Sequence, residues 1–172
     1  GYRHAKDAQA LVSRLQLLDQ FGHTRRALIV CIESDTVVTL GGHPKKAIIG
    51  QPRVQGPWRG IFEAAIFDLC YPVVGAAGPE FVILISGTYW AQASKADKER
   101  TIFNELSHLQ QKTGEFGELR SHDDGRPLLT TVPHDVESFT TEVERYGPYA
   151  NEAAFIHAAQ AGIEGRARTG RK

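Results

Sequence analysis

No methionine occurs in this chain of 172 residues, cysteine occurs only twice, and neither sign of charge is in excess. The missing methionine predicts that Gly1 is a trimmed start rather than an initiator. Twenty Lys and Arg against twenty Asp and Glu leave no net field to steer the protein onto nucleic acid or an anionic membrane. No apolar run approaches the roughly 20 residues that a membrane-spanning helix needs, and the opening GYRHAKDAQA lacks the apolar core of a secretory signal. Cys31 and Cys70 sit in the apolar stretches LIVCIES and IFDLCYP, which predicts two buried thiols in a cytoplasmic protein, with a disulfide as the alternative. The one concentration of charge is the closing GRARTGRK, read as a solvated, flexible basic tail over residues 164–172 rather than a phosphate-binding arm.

What is present is enough apolar material for one domain with a real core. Leu11, Leu15 and Leu18 fall at helical spacing in DAQALVSRLQLLDQF, predicting an amphipathic helix over 7–21 closed by Gly22. RALIVCIE, TVVTL, KAIIG and FVILISG read as strands, with a turn expected at Glu33–Asp35 and a long Gly- and Pro-containing excursion over 41–60. GIFEAAIFDLCYPVV is apolar throughout and is assigned to a helix ending before Pro72. Ser94 and Asp97 have the spacing of a capping box and open a helix expected to span 95–112, before Gly114. A loop with a short ribbon at PLLTT follows, then an amphipathic helix over 134–146 and a short closing helix at NEAAFIHAAQAG. This order predicts a single α+β domain over 1–163, ahead of the tail.

The helix after Ser94 carries the stretch with chemical content. In NELSH, Asn104 and His108 lie about one turn apart on one side, with Glu105 about 100° around the axis. A zinc protease places H-E-x-x-H on a helix, so that two imidazoles hold the metal and the Glu acts as general base. Here Asn104 stands where the first imidazole belongs. E-x-x-H also arises by chance on helices, so these residues alone leave a metal site and an ordinary surface helix both open. A third ligand would have to come from His122, in a loop, or His134, at the start of a helix. His4, His23, His43 and His157 receive no functional reading and are expected at the surface or at caps.

PEFVILISGTYW, then ERTIFNELSHL, then GEFGELR…GRPLLTTVPHDVESFTTEVERYG resembles the phage metallopeptidases, a family with a SprT-like zincin core, over about residues 80–147. The resemblance implies a zincin-like α+β domain with a small mixed sheet packed on the N-terminal helix and the metal-site helix. Carried over by position, it makes Glu105 the catalytic carboxylate, His108 the second zinc ligand and His134 the third, with Asn104 in the first ligand place. It further implies that His134 lies close to His108, and that Phe139 and Val143 pack near Leu106. An amide oxygen is a weak zinc ligand, so the resemblance implies zinc weakly bound or absent. Three functions follow: a hydrolytically disabled pseudo-peptidase that binds a host protein, for example one of a defence system; an active zinc peptidase acting on a peptide substrate with Glu105 as base; or a nucleic-acid-associated protein. The balanced charge argues against the last. A phage protein of either of the first two kinds would act in the host cytoplasm.

Overall fold

The computed structural model describes residues 1–52, 69–70, 78–134, 147–148 and 150–169, and the chain divides into two compact units, Gly1–Val132 and Pro133–Lys172. The first unit is built on a four-stranded mixed sheet of order β1-β2-β6-β5: β1 is Tyr2–His4, β2 is Ile29–Ser34, β5 is Ala47–Gly50 and β6 is Phe81–Ser86. The two central strands, β2 and β6, are parallel in the register Ile29↔Phe81 to Ser34↔Ser86, while β1 and β5 flank them antiparallel. The fold is α+β, as the element order predicted.

Both faces of this sheet are covered, which is why its central strands read as continuous apolar runs rather than alternating ones. Ile29, Cys31, Phe81, Ile83 and Ile85 point into one core with Val12, Leu15, Ile102 and Leu106 from two helices. Val30, Ile32, Val82 and Leu84 point into a second with Val38, Ile48 and Cys70. Cys31 and Cys70 therefore lie on opposite faces of the sheet, and both are free thiols. Burial pushes the Cys31 thiol far up and that of Cys70 up to about 11.

The N-terminal helix α1 is shorter than its leucine spacing predicted, running Lys6–Leu15. Arg25 ends it: the guanidinium donates to the carbonyls of Gln16 (3.1 Å) and Leu17 (3.0 Å), and the Gln16 side chain donates to Thr24 O at 2.6 Å. The chain then turns into a 3-10 helix, Asp19–Thr24, which takes up Gly22 and leaves Leu17 71% exposed. Within α1, Gln9 acts as a piece of strand. Its amide accepts from Cys31 N (3.0 Å) and donates to Ile29 O (2.9 Å), continuing along β2 the pairing that β1 begins.

Strand β2 extends through Ser34, into the expected turn, and the excursion after residue 40 opens with a strand that the sequence reading missed, which folds back on the predicted TVVTL strand. Strands β3 (Val38–Leu40) and β4 (His43–Lys45) pair with Leu40 opposite His43, across Gly41 and Gly42 at φ +58° and +80°. Positive φ at both central residues is what a tight hairpin turn demands. The helix assigned to GIFEAAIFDLCYPVV lies outside the described residues except for Leu69 and Cys70, which are helical.

After β6 comes a short helix, α2 (Gly87–Gln92), and then α3 (Lys95–Ser107). The capping box forms as predicted, with Asp97 N donating to Ser94 Oγ at 3.1 Å and Ser94 Oγ donating to Asp97 Oδ2 at 2.7 Å. α3 does not reach residue 112. It stops at Ser107, and the next residues become β7 (Leu109–Gln111), paired antiparallel with β8 (Leu129–Thr131) inside the anticipated ribbon. The strand wins because Leu109 and Leu129 both enter the first core, which a continued helix could not achieve for the pair.

In the second unit, α4 runs Ala150–Thr169, well beyond the short closing helix predicted and through six of the nine residues assigned to a flexible tail. Ala, Glu and Arg are good helix formers, and Arg166 Nε donates to Gly162 O at 3.3 Å. Of the helix predicted over 134–146, only His134 is among the described residues, where it is not helical; the rest, with Phe139 and Val143, lies outside them. No described helix is long and apolar enough to cross a membrane.

Candidate functional site

α3 is oriented by a buried stripe at Thr101, Ile102, Glu105 and Leu106, which continues into Leu109. A glutamate on such a stripe is unusual, because a carboxylate is normally kept in water. Glu105 is 5% exposed. Burial raises its pKa; His108, the Asn104 amide, the Ile49 backbone amide and Lys45 oppose this without cancelling it. The carboxylate is thus turned towards β5, one of the two antiparallel edges of the sheet.

Asn104 lies on the exposed side of α3, and its Nδ2 donates to Glu105 Oε1 at 3.4 Å. His108 is half-buried and caps the helix in αR geometry. Its Nδ1 is 2.6 Å from Val132 O, and because a carbonyl only accepts, that nitrogen carries the proton. Val132 N in turn donates to His108 O at 2.7 Å. A backbone carbonyl on Nδ1 fixes the tautomer in which neutral imidazole offers Nε2 to a metal, the usual arrangement around ligand histidines.

Of the predicted site residues, the structure brings Asn104, Glu105 and His108 together. His134 belongs to the second unit. His122, the other candidate third ligand, is engaged elsewhere: its Nε2 is 3.3 Å from Glu80 Oε1, while Glu80 Oε2 also meets Arg126 Nη1 at 3.1 Å and the Leu28 amide at 2.8 Å. That cluster ties the β7–β8 loop to the start of β6. His23, given no role from sequence, holds the 3-10 helix to β7 through Nε2 and Leu109 O, 2.7 Å apart.

Among the described residues, no group of three or more His, Cys, Asp or Glu side chains is arranged to hold a metal ion. A closed or catalytic zinc site draws three or four such donors. His108 fits that requirement by its tautomer. Asn104 does not, since its amide is engaged with Glu105 and offers at best a hard oxygen. These described residues do not make a three-ligand zinc site.

Two neighbours of Glu105 had no signal in the sequence. Lys45 and the Ile49 amide reach it only because β5 runs antiparallel to β6 and lies against α3, a pairing that residue spacing does not encode. Tyr89 is similar: its hydroxyl meets Thr101 Oγ1 at 2.8 Å, joining α2 to the buried stripe one turn before Glu105.

No curated protein and no solved structure matches the chain. One family does, over residues 2–160, a span that takes in the N-terminal strands and α1 as well as the 80–147 stretch in which its motifs are concentrated. With its mixed sheet, its α3 and nearly its whole length inside that match, the chain belongs to the family described as putative phage metallopeptidase.

Proposed function

We propose that this member of a metallopeptidase family no longer hydrolyses peptide bonds and acts by binding a protein of the host cell. The observation that supports this reading is the pair Asn104–Glu105. The position that should supply an imidazole supplies an amide, and that amide donates to the carboxylate that should act as base. Zinc is the metal to which the family name points, and a hydrolytic site must hold it tightly enough to bring the pKa of a bound water to about 7. Replacing one of three strong ligands weakens that hold, since changes even outside the ligand shell cost about 10–100-fold. What remains is a metallopeptidase scaffold with a partner-binding surface, placed in the host cytoplasm and suited to occupying a host protein rather than cutting it.

A second reading, favoured by the tautomer that Val132 imposes on His108, retains zinc and hydrolysis with Glu105 as general base and His134 as a further ligand. Metal analysis of the purified protein beside Asn104→His separates the two. The proposal expects sub-stoichiometric zinc in the native chain, a gain of orders of magnitude in zinc affinity for the variant, and no chelator-sensitive cleavage of an unfolded protein substrate by the native chain. Stoichiometric zinc with Glu105-dependent cleavage in the native chain establishes the second reading instead. A histidine variant that gains no zinc removes the metal site from both.

A further inference from the structure

The β3–β4 hairpin, the start of β5 and the helix α2 enclose an open groove of about 350 Å³ at the end of the sheet where β6 finishes. Ligands of open sheets with parallel strands gather at this carboxyl end. Its walls carry Lys45, Lys46, Ser86, Thr88, Tyr89 and Gln92, and no carboxylate lies among the described residues that line it. We infer that this groove takes a short, carboxylate-rich segment of a partner protein, with Lys45 and Lys46 as its charge contacts. The inference rests on the protein-binding reading above and names the chemistry of the partner.

Three observations carry it. Neither lysine forms an ion pair with a described carboxylate, whereas Arg3 pairs with Glu33, Arg14 with Glu99, Lys98 with Asp7 and Arg126 with Glu80. Lys46 Nζ stands 5.3 Å over the Tyr89 ring, and Tyr89 is itself held by Thr101 Oγ1, so one of the two charges is pre-positioned. Pre-positioning lowers the ordering cost of binding. Beside the charges, Ser86, Thr88 and Gln92 supply hydroxyl and amide groups able to hydrogen-bond a carboxylate or a peptide backbone. Lys45 also adjoins the site already described, since its charge is felt at Glu105.

The groove is too small and too weakly charged for nucleic acid. Two lysines in a chain without net charge cannot supply the several phosphate contacts that such binding draws on. Its open form, with Val37 and Pro44 along one side, suits an extended chain better than an enclosed small anion.

The test uses a fluorescein-labelled synthetic peptide of eight residues alternating Glu with Ser, its Lys-for-Glu counterpart, and inorganic phosphate as competitor, read by anisotropy at two salt concentrations. The acidic peptide should bind, more weakly at the higher salt. Lys45→Glu combined with Lys46→Glu should weaken it at least about tenfold, Lys45→Gln with Lys46→Gln less, and Lys112→Glu, on the β7–β8 hairpin, hardly at all, with all variants checked for native melting. Equal binding of the basic peptide, indifference to both double variants, or displacement by equimolar phosphate overturns the inference. Mass spectrometry of the same mixtures keeps the two readings apart. Binding with Glu105-dependent cleavage supports the groove and overturns the non-hydrolytic function; no binding overturns the groove and leaves that function standing.

Discussion

Glu105 is a charged side chain in a place that disfavours charge, and its surroundings decide how it responds to pH. Burial lifts its folded pKa above the ordinary 4.5, so the native state holds this proton more tightly than the unfolded chain does. Its contribution to stability is therefore fully present below pH 4.5 and is lost as pH rises through the folded value. Glu105→Gln, which keeps the shape and removes the charge, should melt higher than the native chain at pH 7, the difference closing as pH falls below about 4.5. A variant that melts lower at pH 7 would show that the carboxylate is stabilised there by more than burial costs it. At this scale the sequence was informative: Asn104, Glu105 and His108 do assemble, because three positions on one helix need nothing but the helix. It could not show that Glu105 turns inward while Asn104 turns out. That choice depends on β5 lying against α3, and nothing in NELSH refers to β5.

Between elements, one join that ties three helices is built around Asp7, at the start of α1. Its Oδ2 accepts from the Trp90 indole at 2.9 Å and from Lys98 at 3.3 Å, and Lys98 Nζ lies 5.0 Å over the Trp90 ring, so α1, α2 and α3 share one polar contact. Burial raises the Asp7 pKa, but the Trp90 N–H, Lys98 and the Ala8 amide together outweigh it and hold the carboxyl below 3.8. A lowered folded pKa gives stability that is present above 3.8 and lost as pH falls through the folded value. Asp7→Asn should accordingly lower the melting temperature at pH 6–7, and the gap to the native chain should narrow below about pH 3.8. A gap that stays constant down to pH 2 would assign the effect to packing instead. Gln9 offers a harsher test, because Gln9→Leu leaves Cys31 N and Ile29 O without their side-chain partner in a buried strand. The expected cost is about 1–3 kcal/mol by urea unfolding. Strands β2 and β6, β5 and the cap of α3 were legible because their signals are local: apolar runs and a Ser-x-x-Asp. The ends of α1 and α3 were not, since Arg25 stops the first and a core place for Leu109 stops the second, and both are tertiary events.

For the molecule as a whole, the expected tail proves to be largely helix, yet residues 164–168 remain exposed. Deleting 164–172 should leave the melting temperature nearly unchanged, because an exposed helix end without large apolar contacts adds little to cooperative stability. A fall of many degrees on calorimetry would show that this end docks. The sequence reads as one continuous α+β domain, and no linker-like composition marks the boundary between the two compact units at Val132. Balanced charge, the buried thiols and the mixed architecture were all readable from composition and period, which report averages over the chain rather than the meeting of particular residues.

The pair of hydrogen bonds between His108 and Val132 has a consequence for time rather than structure. The residue that ends α3 is stitched to the residue following β8 at backbone and ring alike, so fluctuations of the β7–β8 hairpin must move the imidazole, and anything that immobilises the imidazole must slow the hairpin. Amide exchange at Val132 reads this directly, since its proton leaves only when that stitch opens. In Asn104→His, adding zinc should retard deuterium uptake at Val132 and along Leu129–Thr131, while the β3–β4 turn at Gly41 and Gly42, part of a separate two-stranded sheet, keeps its rate. The hairpin would then act as a clock, its opening rate recording whether the ring of His108 is occupied.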